Sequence, residues 1–223
     1  MNKVFFLMSI PICLLTFCNN KEKSNSINKN DTTVIVTRNK ILVDNCYFAF
    51  GIKAAIECAK IATSISGYSE DWPKGTNSTI FFQLAENNLN LKEINFCFIV
   101  IDSIPSSIAK ITNLEKLYLT HGTIKNIPSS IGQLKHLKEL VLGTSKDECG
   151  GNKVIYISTE IANCTELEYL GLAYSEINDL PLELNKCTKL KTIDLFQNTQ
   201  INLKKLNELR KRFPGVEIIS HLK

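Results

Sequence analysis

Residues 114–136 read LEKLYLTHGTIKNIPSSIGQLKH, from Leu114 to His136, and the phrase recurs on both sides of itself. Its opening leucine stands twenty-three residues earlier at Leu91 and twenty-three later at Leu137, slips by seven, and resumes at Leu167 and Leu190. Three and five residues after each opening come further apolar positions: Leu91/Ile94/Phe96, Leu114/Leu117/Leu119, Leu137/Leu140/Leu142, Leu167/Leu170/Leu172 and Leu190/Ile193/Leu195. A second apolar set follows, with Ile104-Pro105, Ile108 and Ile111; Ile127-Pro128, Ile131 and Leu134; Ile157, Ile161 and Cys164; and Leu180-Pro181, Leu184 and Cys187. One such unit cannot bury its own apolar face and must stack on the next, so the period predicts a solenoid. Alternation in Leu117-Tyr118-Leu119 puts the leucines on one side of a strand. The three-residue spacing of Ile108 to Ile111 suits a turn of helix facing the same core.

Residues 91–219 resemble a leucine-rich repeat array, of the class whose unit carries an I-P-x-x-I turn, with Leu114–His136 as the best copy. The resemblance covers somewhat over half of the chain. It implies an α/β solenoid: a curved stack of short parallel strands with helical or irregular convex segments, of a kind that usually binds proteins. It implies no activity. Two departures matter. The asparagine that the family places nine residues into each unit is present only at Asn198, with Ile99, Gly122, Ser145 and Ser175 in the other copies, which predicts a looser inner turn in the first two units. The third unit also carries an insertion, Lys146–Asn152, expected to bulge as a loop because long loops add little closure entropy.

Terminal repeats need caps. Leu203–Arg212 predicts a basic helix with Leu203, Leu206 and Leu209 on one face, stopped by Phe213-Pro214-Gly215 and followed by a closing strand at Val216–Ile219. Before Leu91 the period fails. There Thr33–Val36 and Lys40–Val43 predict a hairpin about Arg38-Asn39, Asp44 or Asn45 would cap a helix running to about Ile65, and Tyr68–Ser78 reads as a connector. Residues 32–86 are thus expected as an amino-terminal cap and residues 87–223 as the repeat domain.

Residues 1–17 read as a signal peptide: Lys3 supplies a charge, and Val4–Phe17 is almost wholly apolar but too short to span a bilayer. Leu15-Thr16-Phe17-Cys18 resembles a bacterial lipoprotein cleavage box, which would make Cys18 the lipidated first residue, although Phe17 stands where that box holds a small side chain. Residues 18–31 have the composition of a polar tether. The expected location is the cell envelope, anchored to the membrane by lipid; simple secretion and a retained amino-terminal anchor are the alternatives.

The 223 residues are 44% hydrophobic with a net charge of +4, and the basic residues are scattered apart from Lys204-Lys205 and Arg210-Lys211-Arg212. A solvated helix face is the ordinary account of that cluster over a phosphate or lipid contact, and nothing calls for nucleic acid. Of the eight cysteines, Cys164 and Cys187 take the places of Ile111 and Leu134 and read as core residues, with a disulfide as the lesser alternative. No C-x-x-C or C-x-x-H spacing supports a metal, no motif calls for a cofactor, and no nucleophile elbow, phosphate loop or H-E-x-x-H run supports an enzyme.

A functional surface, if the register holds, is the inward side of the strands. Its columns are Asn95, Tyr118, Val141, Gly171 and Asp194, then Cys97, Thr120, Gly143, Ala173 and Phe196, then Phe98, His121, Thr144, Tyr174 and Gln197. Aromatics facing water suit an interface, so Phe98, Tyr118, His121, Tyr169, Tyr174 and Phe196 are the candidate ligand-binding residues, around a shallow trough left by Gly143, Gly171 and Ala173. Plain tolerance of such residues on a concave sheet is the competing account. The function so reached is non-catalytic binding of a protein or peptide; a structural envelope component and a carbohydrate-binding receptor are the alternatives.

Overall fold

The computed structural model describes Phe82 and residues 88–97, 101–146 and 150–222, with backbone alone for Cys97 and for four strands between residues 33 and 68. Residues 31–223 form one compact unit. Phe98 and Cys18 lie outside the described residues.

Strands β1 (Thr33–Thr37), β2 (Lys40–Val43), β3 (Cys46–Phe48), β4 (Ser64–Tyr68), β5 (Glu93–Cys97), β6 (Lys116–Thr120), β8 (Glu139–Gly143), β10 (Tyr169–Leu172), β11 (Thr192–Asp194) and β12 (Glu217–Ile219) make one sheet. Its order is β12-β11-β10-β8-β6-β5-β4-β1-β2-β3. From β12 to β1 every pairing is parallel, and β1, β2 and β3 then pair antiparallel. A second ribbon joins β7 (Asn126–Ile127) to β9 (Tyr156–Ile157). The period sets the register: Ile94 stands against Leu117, Leu117 against Leu140, Leu140 against Leu170, and Leu170 against Ile193. All five are fully buried.

The convex side is built from four 3-10 segments, η1 (Ser106–Lys110), η2 (Ser129–Gln133), η3 (Thr159–Asn163) and η4 (Leu182–Lys186). Pro105, Pro128 and Pro181 precede three of them with extended backbone; Ser158 precedes the other and accepts the Glu160 N–H through its hydroxyl. A proline there forfeits no helical donor and fixes φ for the turn. Each segment buries a large apolar side chain, Ile108, Ile131, Ile161 or Leu184, and ends at Ile111, Leu134, Cys164 or Cys187, whose N–H returns to that residue's carbonyl at 2.9–3.0 Å. Cys164 and Cys187 are free. Their thiols approach the Ile131 and Ile161 carbonyls of the preceding units at 3.2 and 3.6 Å, and burial pushes them up to about 12 and about 11. They are core residues, and the disulfide alternative falls.

Helix α1 (Leu203–Arg212) starts where its sequence predicts, with Asn202 accepting the Lys205 N–H. Its buried face, however, is Leu206, Leu209 and Phe213, while Leu203 is 48% exposed. With 3.6 residues per turn, Leu203 lies too far round the helix from Leu209 and Phe213 to share their contact. Strand β12 then closes the sheet on β11.

The amino-terminal region departs further from expectation. The hairpin about Arg38-Asn39 forms. The helix expected from residue 45 cannot begin there, because Cys46–Phe48 pairs antiparallel with β2. Tyr68 belongs to β4 rather than to a connector, and β4 extends the parallel ladder two strands past the sequence period, with Ile65 against Ile94 and β1 beyond. Ser64-Ile65-Ser66-Gly67-Tyr68 lacks the leucine spacing, so only backbone pairing reveals it.

Candidate functional site

The inner column predicted from the period is continuous: Asn95 stands against Tyr118, Tyr118 against Val141, Val141 against Gly171, and Gly171 against Asp194. At its start, the half-buried Tyr118 donates its hydroxyl to Glu139 Oε2. Desolvation, then that bond, raises the phenol well above its usual range. Glu139 Oε1 meets Lys116 at 3.1 Å. Glu93, one strand earlier, is raised by desolvation, with Lys116 opposing and Glu139 adding to the shift. Along the strand entrances runs a ladder of alternating sign, in which Glu115 takes Lys92 at 3.2 Å and Lys138 at 2.6 Å, and Glu168 takes Lys191 at 2.5 Å. The hydrogen bond from Lys138 is the main cause holding Glu115 below the usual carboxylate range. These carboxylates link adjacent strands.

At the far end of the column Asp194 is fully buried. Its Oδ2 accepts the Ser145 N–H and hydroxyl at 2.7 Å each, the Tyr169 hydroxyl at 3.1 Å and the Thr144 hydroxyl at 3.4 Å, while Oδ1 accepts the Phe196 N–H at 3.0 Å. Five donors satisfy a carboxylate that would otherwise be costly to bury. Gly171 makes room for this: a Cβ there would stand 3.1 Å from Tyr169 Cε1 and 2.7 Å from the Gly143 carbonyl. Lys146 then lies over the Tyr169 ring, 4.2 Å from its centre. Asp194 therefore fastens the start of the inserted loop across β10 and β11. Nothing local in the sequence marks Asp194, since its five donors come from residues two to fifty positions away.

The expected trough is not open. Gly143, Gly171 and Ala173 are all buried, and Gly143 bridges antiparallel to Gly151 as the loop returns. Added Cβ atoms on Gly143 and Gly151 would meet the Ala173 carbonyl at 2.1 and 2.2 Å. The pairing also shifts between Gly171 and Leu172, putting Gly143 against Leu172 instead of Ala173, so the second predicted column breaks where the loop begins.

The loop's last residue does unexpected work. Asn152, fully buried, donates through Nδ2 to the Leu119 carbonyl at 2.5 Å and the Leu142 carbonyl at 2.8 Å, and Oδ1 accepts the Ile124 N–H at 2.9 Å. Ser175 donates in turn to the Asn152 carbonyl at 3.2 Å. Asn152 thus takes the asparagine position of the third unit, and the insertion precedes it instead of including it. A Cβ at Gly122 would stand 2.6 Å from Asn152 Oδ1, so the turn that looked loose is closed by its neighbour. Asn198, the one residue at the family position by simple counting, is buried with neither amide atom hydrogen-bonded.

Tyr174 and Phe196 meet edge to face at 6.0 Å and 81°, and Phe196 meets His221 likewise at 6.3 Å and 89°. His121, Tyr174 and Gln197 share a left-handed backbone at φ 62°, 61° and 54°, one residue type after another at the same place in three units. That recurrence assigns the conformation to the fold, where the chain leaves each strand. His121 is exposed, with its ring against Gly150, where a Cβ would come within 2.9 Å of its Cε1. Of the candidate residues, the structure brings Tyr174 and Phe196 into contact, ties Tyr169 to Asp194 and Tyr118 to Glu139, and places His121 beside the loop. His221 is an aromatic neighbour that the sequence reading missed, because only the closing strand carries it back to β11. Among the described residues, no group of three His, Cys, Asp or Glu side chains could hold a metal ion.

This stack is the leucine-rich repeat fold. It is similar to a leucine-rich repeat protein from Leptospira interrogans at a TM-score of 0.55 and 23% identity, over 76% of this chain and 39% of that one. It is also similar to an internalin from Listeria monocytogenes at 0.56 and 18%, over 78% of this chain and 46% of that one. The chain therefore spans less than half of either structure. No protein-family model and no curated protein matches it.

Proposed function

We propose that the chain is a non-catalytic module that binds a protein or peptide on its inner face and is held at the cell envelope by a lipid on Cys18. The observation that carries the binding half is the Tyr174–Phe196 pair. Two partly exposed rings in edge contact stand in the turns that follow β10 and β11, beside a loop fastened by a buried carboxylate. Rings placed so are favoured at interfaces, and their positions need little ordering on binding. Support for export comes from the apolar run Val4–Phe17, the cysteine after it and the polar stretch that follows. Among the described residues no helix is long and apolar enough to cross a membrane.

Panning a random peptide library against the immobilised full chain tests the binding half. Selected peptides should bind the Tyr174→Ala/Phe196→Ala double variant at least about thirtyfold more weakly, a loss of about 2 kcal/mol. The variant's melting temperature should barely move. Peptides that bind both proteins equally would remove the site from this face. For the anchor, Cys18→Ser should shift the protein from membrane to soluble fractions, since acyl chains contribute about 0.8 kcal/mol per buried methylene. Unchanged fractionation would favour a retained signal segment.

A further inference from the structure

The five cations of α1 fall into two sets. Lys205 reaches Asp179 at 3.0 Å and Glu208 at 3.7 Å, and Arg212 reaches Asp179 at 2.6 Å and the Leu180 carbonyl at 2.9 Å. These two hold the helix to the stack. Lys204, Arg210 and Lys211 are exposed, and among the described residues no carboxylate lies within 4.0 Å of any of them.

At 100° per residue, Leu203, Asn207 and Arg210 fall on one line that flanks the buried Leu206, while Lys204 and Lys211 lie further round, opposite Leu206 and Leu209 and beside Glu208. Folding accounts for part of this. Arg210 and Lys211 sit in the last turn, where the helix dipole favours cations. Lys204 sits in the first turn, where the dipole opposes a cation and no acidic residue offsets it. Leu203, in the same turn, is 48% exposed. Neither packing nor the dipole explains that pair.

We propose that this face of α1 docks on an anionic lipid surface, its three unpaired cations on phosphate-bearing headgroups and Leu203 at the boundary with the acyl chains. Interfacial helices set cations at the headgroups and apolar side chains at the acyl boundary; α1 turns its main apolar face to the core and offers Leu203 for that boundary. A single-stranded nucleic acid would want an aromatic platform, and this face has none. Each cation near such a surface contributes about fivefold in affinity, so three give roughly a hundredfold. That is weak for a free protein, and enough to orient one already confined to a membrane. The inference rests on the membrane attachment proposed above and is independent of whether the inner face binds peptide.

The test uses the full chain with a photoreactive benzoylphenylalanine in place of Asn207, which reads contact at α1 alone. The apolar amino-terminal segment is common to every arm. Vesicles of phosphatidylcholine with about 30 mol% phosphatidylglycerol should give a lipid adduct on α1 at least about tenfold above that with pure phosphatidylcholine. The excess should vanish in the Lys204→Gln/Arg210→Gln/Lys211→Gln variant, and on raising salt from about 0.05 M to about 0.5 M. Leu203→Ser should lower the yield on anionic vesicles while the melting temperature holds. Equal adducts on both vesicles, an unchanged yield in the triple variant or in Leu203→Ser, or loss of the adduct to millimolar inorganic phosphate would each overturn the proposal.

Discussion

At the residue scale the decisive contrast is between two asparagines. Counting along the repeat selects Asn198, yet Asn152 makes the three buried hydrogen bonds, because a gap can be placed on either side of it and only contact with Leu119, Leu142 and Ile124 decides which. Leaving such groups unpaired costs about 1 to 3 kcal/mol each, so Asn152→Ala should lose about 3 kcal/mol or more in urea denaturation, and Asn198→Ala less than about 1 kcal/mol. Equal losses would place the asparagine role wrongly. Gly122→Ala should also be costly, since its Cβ would stand 2.6 Å from both Asn152 Oδ1 and the Ile101 carbonyl. Among the candidate aromatics the column through Tyr118 was legible, because alternation fixes direction within a strand. What each one touches was not legible: Tyr118 on Glu139 and Tyr169 on Asp194 join residues twenty-one and twenty-five positions apart.

At the element scale, strands with the leucine spacing were legible and β4 was not, because a strand held by backbone pairing needs no repeat signature. The leucines within those strands should behave alike: Leu117→Ala, Leu140→Ala and Leu170→Ala each cost about 2 to 5 kcal/mol, whereas Lys138→Ala should leave the urea midpoint almost unmoved. Helix α1 depends on a different interaction. Desolvation works against the Asp179 carboxylate, but hydrogen bonds from Arg212 and Lys205 outweigh it and hold its pKa below the usual 3.8. A depressed carboxylate stabilises the fold above its unfolded value and ceases to as pH falls through its folded one. Asp179→Asn should therefore be less stable than the parent at neutral pH, and the two urea midpoints should converge below about pH 4. A gap that persists in acid would show that the carboxylate's charge is not what holds the helix.

At the scale of the whole molecule, stability is a sum over units and the contacts between neighbours. Removing residues 145–151 would join Thr144 to Asn152 and give the third unit the length of the others. This deletion should leave a cooperatively melting stack with an unchanged far-ultraviolet spectrum. It should also remove the Ser145 donors of Asp194 and uncover the inner face beside Tyr169 and Tyr174. Collapse of the fold would mean that the loop is structural.

Asn152 lies at the loop's downstream end and locks the third unit to the second, and Ser145 ties the upstream end to Asp194, so the residues between Ser145 and Gly151 can change number and identity without disturbing either tie. The frame and the variable segment are thus separable in inheritance. A lineage could lengthen, trim or diversify those few residues generation by generation while Gly122 and Asn152 stay fixed as a matched pair, much as a framework outlasts the loops it carries.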